Sequence, residues 1–242
     1  MKHAQPRGLS RQRVKRLLSE RKCERHVGGR IDALSAHFLG YSYKANPLIG
    51  SADTVEAFTA SFDGFDCVTY VETVVALACA TDADDFSERL RKIRYEHGHI
   101  QWDRRNHYMT AWIRNNIRAG IIKPVPMPAV PRVSRERLLN VISGLAPKQI
   151  RLECVPKMAV PRLEPYLQSG DLIFFVSTRR NLDVFHAGII VRNNDVTLLR
   201  HASRTQGLVV EQELKRFLKE NRMVGVIVVR PQEVRPSISG KK

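Results

Sequence analysis

The chain has 242 residues and a mass of 27.6 kDa, enough for one domain with a sizeable core that needs no covalent or metal staple. Hydrophobic residues at 43% and charged residues at 26% exclude a wholly disordered chain, and 14 Gly, 12 Pro and 4 Cys exclude collagen-like and disulfide-dense classes. A net charge of +16, from 40 Lys and Arg against 24 Asp and Glu, predicts attraction to polyanions such as nucleic acid, anionic lipid or acidic wall polymer.

The charge is uneven. Residues 1–30 carry ten basic and two acidic side chains, whereas residues 51–88 carry nine acidic side chains and no Lys or Arg. A basic end beside an acidic interior is not a uniform nucleic-acid surface. The N-terminus has no apolar run of signal-peptide length, and no stretch approaches the 18 apolar residues of a membrane span. The cysteines at 23, 67, 79 and 154 form no CxxC pair or metal-ligand spacing, which fits free thiols in a reducing compartment. A cytoplasmic location follows by default.

In chain order, residues 9–39 read as helix interrupted around Gly28-Gly29, with Val14, Leu17 and Leu18 at helical spacing and a second helix from Arg30 to Leu39. Residues 1–29 thus read as a basic helical extension. A loop rich in Gly, Pro, Asn and Ser covers 41–51. Residues 66–80 give the clearest helix, with 67, 71, 74, 75 and 78 on one apolar stripe, and another helix spans about 84–95. The next segment, from His97 to Asn116, is dense in His, aromatics and Arg. Residues 123–165 hold eight of the twelve prolines and read as irregular chain with one short helix near 134–143. Strands are expected at 171–177, 185–192, 196–203, 207–210 and 224–230, with a helix at 211–221 before the last. Residues 231–242 read as a flexible tail. Helices first and a strand meander second predict an α+β fold with an antiparallel sheet.

Cys67 falls at a predicted helix N-terminus, where unpaired N–H groups and the helix dipole favour a thiolate and can also hold an oxyanion. The nearby carboxylates push the other way. His186 starts one predicted strand and His201 ends the next. A turn at Asn193-Asn194 brings the two opposite each other, and Gly188 on the same face leaves room for a helix end. The three residues together suggest a nucleophile, its base and an orienting group. Each residue alone fits an ordinary core or surface role just as well.

The run Phe65-Asp66-Cys67-Val68-Thr69-Tyr70-Val71-Glu72 resembles the nucleophile motif of the N-acetylmuramoyl-L-alanine amidase-like proteins, a branch of the NlpC-type, papain-like cysteine hydrolases. Further blocks resemble the family in the right order: Phe38 to Tyr43, Ile93 to Tyr95 with Gly98, Arg105 to Met109 with Trp112, Ser169 to Ile173, Leu182 to Gly188, and His201 to Ser203. The resemblance covers about residues 30–230. It implies a papain-like fold, with the nucleophile helix packed on a C-terminal antiparallel sheet. It also implies cleavage of a peptidoglycan or muropeptide amide by Cys67 as nucleophile, His186 as general base and acid, and His201 orienting His186. Tyr41, Tyr43, Asp66, Arg105, Asn106, His107 and Tyr108 are the expected substrate contacts. No metal or other cofactor is implied, and a monomer is expected. Relatives generally carry an export signal, so the periplasm or cell envelope is the family-based alternative to the cytoplasm.

His97, His99 and His107 have only weak zinc spacing, with no HExxH arrangement. The basic N-terminal segment can be a solvated helix face, or can meet anionic polymer or lipid headgroups. Nucleic acid is the poorer partner, because residues 1–30 contain no aromatic side chain to stack on bases. Two rivals to the amidase remain open. One is a γ-D-glutamyl endopeptidase using the same triad. The other is a non-catalytic basic protein that binds wall polymer or nucleic acid.

Overall fold

A computed structural model describes residues 5–20 and 24–233. Cys23 and residues 234–242 of the expected tail therefore lie outside the described residues. The fold is α+β: helices on one face of an antiparallel sheet, with a smaller layer on the other face.

Helix α1 (Arg11–Glu20) points Val14, Leu17 and Leu18 inward and its Arg-rich side outward. Helix α2 spans Val27–His37, so the glycines expected to interrupt it lie inside its first turn. The reason is close approach, not chain breaking. A Cβ on Gly28 would lie 2.6 Å from the Ser169 carbonyl oxygen, and one on Gly170 would lie 2.6 Å from Gly28 Cα. Helix α3 (Cys67–Cys79) is buried over almost its whole length, from Thr69 to Ala78. It begins with a capping box: Asp66 Oδ1 accepts from the N–H groups of Val68 at 3.1 Å and Thr69 at 2.7 Å, while Thr69 Oγ1 accepts from Asp66 N–H at 3.0 Å. Helix α4 (Ala83–Arg94) is capped by the Asp82 side chain, which accepts from the N–H groups of Asp84 and Asp85, and helix α5 (Met109–Arg118) buries Met109, Trp112 and Ile113. One buried ion pair ties these layers. Arg94 donates to Glu72 at 2.8 Å and to the Thr59 carbonyl at 2.6 Å, and Trp112 Nε1 donates to Glu72 at 3.2 Å.

The sheet is built from β1 (Ile122–Pro124), β2 (Val133–Leu139), β3 (Lys148–Pro156), β4 (Leu172–Val176), β5 (Val184–Asn193), β6 (Val196–Ser203), β7 (Leu208–Glu213) and β8 (Gly225–Pro231). Its order is β2-β3-β8-β4-β5-β6-β7, and β1 also pairs with β8. The other layer is the 3-10 segment Lys157–Tyr166 with helix α6 (Leu214–Glu220). Residues 231–233 are held: Pro231 closes β8, Gln232 N–H donates to Ile121 at 2.9 Å, and Glu233 pairs with Arg30 at 2.7 Å. Among the described residues no helix is long and apolar enough to cross a membrane.

One expected helix gives way to strand, and another starts later than expected. In place of the short helix expected near 134–143, residues 133–139 pair residue for residue with β3 from Val133↔Cys154 to Leu139↔Lys148. Arg137 and Leu139 are buried while Glu136 and Leu138 are exposed, a period of two that a helix cannot satisfy. Residues 211–213, expected to begin a helix, continue β7 opposite Leu198 to Arg200 before α6 starts.

Candidate active site

Cys67 stands at the first residue of α3, where the Asp66 cap fixes the entry of the chain. It is partly exposed. The backbone N–H groups of Ala187 on β5, and of Cys67 and Val68 at the helix start, favour its thiolate form. The β5–β6 ladder begins only at Ile189↔Arg200, so the thiol meets β5 just short of the zipped strands. Those N–H groups do not prevail. Burial first, and the Asp66 carboxylate second, push the Cys67 thiol up to about 12. The helix N-terminus alone predicts the opposite direction; the protein packed around the sulfur and the capping charge reverse it.

His186 Nε2 and His201 Nδ1 lie 2.7 Å apart. The expected register had these two residues directly opposite. The structure instead pairs Ile189 with Arg200 and Asn193 with Val196, two residues off that expectation, with Asn194 at φ 50° in the turn. A shift of two preserves the faces of both strands, so the histidines still meet, now as diagonal neighbours. Gly188 has a different use from the one expected. A Cβ there would lie 2.6 Å from Leu199 Cδ1, 2.9 Å from the Arg200 carbonyl oxygen and 3.2 Å from His201 Cβ. It makes room for β6 and its histidine, not for a helix end.

Phe217 of α6 closes over both rings, with centroids 5.4 Å from His186 and 5.3 Å from His201, and Phe175 stacks on His186 at 6.1 Å. This apolar cover, and then the neighbouring His201, lower His186 to about 3; burial lowers His201 to about 4. Both rings are therefore neutral at pH 7. Beyond them, Gln212 Nε2 lies 2.9 Å from His201 Nε2. His186, His201 and Gln212 thus form a diagonal row across β5, β6 and β7.

Tyr43 flanks the thiol. Its phenol is raised by burial and then by Cys67 and Asp66, and is partly offset by Arg204. Its N–H donates to the Gly207 carbonyl at 2.7 Å, seating the 41–43 strap on the β6–β7 turn that carries Arg204. The other expected contacts are engaged within the protein. Tyr41 Oη accepts from Arg13 at 2.8 Å, and the Asp66 carboxylate caps α3. Arg105 donates to both Glu56 oxygens at 3.1 Å. Asn106 Nδ2 donates to the Ile93 carbonyl at 3.2 Å, and His107 Nε2 lies 2.7 Å from the Trp102 carbonyl. Tyr108 Oη accepts from Val141 N–H at 3.1 Å. None of these contacts is with the thiol or the two histidines. Among the described residues, no group of three His, Cys, Asp or Glu side chains is placed to hold a metal ion.

Reading the sequence missed Gln212, Arg204 and Phe217. The first two have no distinguishing local signal. Phe217 has one, the lone aromatic of a short helix whose apolar residues, Leu214, Phe217 and Leu218, are its buried ones.

The frame of helices on an antiparallel sheet places the protein among the amidase-like α+β proteins. The chain belongs to the AmiA-like, N-acetylmuramoyl-L-alanine amidase-like family, whose model matches residues 33–226. It is similar to a crystal structure of an N-acetylmuramoyl-L-alanine amidase from Bacteroides uniformis, with 26% identity over 86% of this chain and 99% of that one and a TM-score of 0.77. Protein LPG0564 from Legionella pneumophila shares the fold, with 20% identity over 93% of this chain and 95% of that one and a TM-score of 0.81. A putative xylanase from Bacteroides fragilis is 27% identical over 81% of this chain and 98% of that one, with a TM-score of 0.68. No curated protein matches the sequence.

Proposed function

We propose that this protein is a papain-like cysteine hydrolase that cleaves the N-acetylmuramoyl-L-alanine amide of peptidoglycan or its soluble fragments. The carrying observation is the 2.7 Å contact between His186 and His201, with the backbone N–H of the residue after His186, Ala187, favouring the Cys67 thiolate. Family membership supports the substrate class.

In this reading Cys67 Sγ attacks the amide carbonyl carbon while its proton passes to His186 Nδ1, the ring nitrogen not engaged by His201. Burial disfavours a lone thiolate and a lone imidazolium alike, so transfer accompanies attack instead of preceding it. The Cys67 backbone N–H at the α3 start meets the developing oxyanion. The C–N bond then breaks, the leaving amine takes the proton from His186, and the acyl group stays on sulfur as a thioester. A water deprotonated by His186 adds to that carbonyl, the C–S bond breaks, and carboxylate product and thiol are restored. Glycoside cleavage would instead call for two carboxylates flanking the bond, whereas the carboxylate beside the thiol, Asp66, is engaged as a helix cap.

The test is mass spectrometry of defined disaccharide-peptides and cross-linked wall incubated with wild type and with Cys67→Ala. Release of the intact stem peptide by wild type alone supports both bond and nucleophile. Cleavage inside the stem moves the bond to that of an endopeptidase. Equal cleavage by Cys67→Ala, or none by wild type, overturns the reading.

A further inference from the structure

The two-imidazole chain has a direction that its end residue sets. For His186 to take a proton at Nδ1, its own proton must sit on Nε2 and be donated to His201 Nδ1. His201 then carries its proton on Nε2, which needs an acceptor. Gln212 is the side chain that lies there, at 2.9 Å. A glutamine amide is two-faced: a half-turn exchanges its acceptor oxygen for its donor nitrogen with little change in shape. In the structure the nitrogen faces His201 Nε2. That arrangement reverses every bond: His201 Nδ1 donates to His186 Nε2, the His186 proton sits on Nδ1, and the base is blocked.

We propose that Gln212 is a positioning residue that sets the tautomer of the histidine pair. With its amide oxygen on His201 the base at His186 is open, and with its nitrogen there the base is closed. The inference rests on the assignment of Cys67 and His186 made above, but the tautomers can be read without any substrate.

The neighbours suit this role. His201 faces His186 on β5, Gln212 on β7 and the apolar Phe217 on α6. The charged groups next to it in sequence or strand are turned away: Arg200 is held by Asp32 and Glu211, each at 2.5 Å, on the opposite face. No other charge among the described residues is placed to fix the proton on His201, so the amide decides. Gln212 is only partly buried, which leaves its end group room to turn.

The variants that separate these states are Gln212→Glu, which can only accept, and Gln212→Leu, which can do neither. Gln212→Glu is expected to keep kcat within about threefold at pH 7. It also moves the acid limb of kcat/KM to higher pH, because a carboxylate favours the charged imidazoles. Gln212→Leu is expected to lower kcat about tenfold to a hundredfold, the usual cost of losing an orienting partner, with KM and the urea midpoint unchanged. In the Cys67→Ala background, long-range ¹⁵N–¹H spectra of the histidine rings at pH 7 should place the His201 proton on Nε2 in Gln212→Glu, and a mixture of tautomers in Gln212→Leu. If His201 stays protonated at Nδ1 in Gln212→Glu, or if Gln212→Leu turns over like wild type, the proposal is wrong. If wild type cleaves no substrate but the ring spectra follow Gln212, the reaction assignment fails while the tautomer control stands.

Discussion

Acid should unfold this protein through its two site histidines. Both are buried neutral, at about 3 for His186 and about 4 for His201, against an ordinary value of 6.5. A base with a lowered folded pKa binds its proton in the unfolded chain first. Its contribution to stability is therefore full above 6.5 and is lost as pH falls from 6.5 toward the folded values. Lowering the pH to 5 covers about 1.5 units of that window, and at about 1.4 kcal/mol per unit each ring costs about 2 kcal/mol. Together they remove about 4 kcal/mol, a large share of an ordinary domain's 5–15 kcal/mol or so. Urea unfolding at pH 7 and pH 5 measures the loss. The control is His201→Gln, which keeps every carboxylate, including the buried and raised Glu72 and Asp183, and removes one titrating ring. Its loss between the two pH values should be smaller than wild type's by about 2 kcal/mol. Equal losses would mean that His201 titrates like a solvent-exposed imidazole and that the apolar cover from Phe217 is not closed in solution.

Three further outcomes follow from the same contacts. Asp66→Asn keeps the helix cap but removes the charge that helps push Cys67 up, so alkylation by iodoacetamide at pH 8 should quicken several-fold while the urea midpoint moves little; in wild type the rate should climb about tenfold per pH unit from 7 to 9, and a plateau would mean that a thiolate–imidazolium pair is already formed. Gly188→Ala forces a methyl against Leu199, the Arg200 carbonyl and His201, which should cost about 1–3 kcal/mol in urea unfolding and displace the His201 ring signals; unchanged spectra would refute the packing. Glu72→Ala strands Arg94 in the core without its 2.8 Å partner, so a loss of about 3–5 kcal/mol is expected, and a loss below about 1 kcal/mol would show that water reaches that ion pair.

What the sequence reveals here is set by how local each cause is. Helix α3 is legible because its apolar residues and its Asp66 cap lie within fifteen consecutive positions. The meeting of His186 and His201 is legible for a subtler reason: the turn falls one residue later than expected, which shifts the strand register by two, and two is the period at which strand faces repeat, so the error leaves the facing sides intact. A register shift of one residue would have separated them. Strand β2 is hidden because its partner arrives only after the 140–147 connection and because Arg135 and Arg137 lie on the side of buried Leu139 while Leu138 lies on the exposed side, so no apolar alternation marks a strand. The thiol's direction is hidden because it is a balance. The helix start is visible in the sequence, while the burial that outweighs it comes from the packing of α3 on β5.

Gln212 shows where such reading must stop. It pairs with Leu199 in a strand whose other side chains alternate as any edge strand does, and nothing nearby in the sequence distinguishes it from a solvent-facing glutamine. Its contact with His201 is diagonal, and it depends on the β6–β7 turn setting His201 opposite Val210. The same two-residue offset relates His186 to His201, so the row of three polar groups lies oblique to the strands on the face that Phe217 covers. Neither histidine strand specifies that row alone. It exists because two successive turns hold β5, β6 and β7 in fixed register, and a one-residue slip in either would turn its end groups to opposite faces. The pH profile of Gln212→Glu therefore tests the register of the sheet as well as the chemistry at its edge.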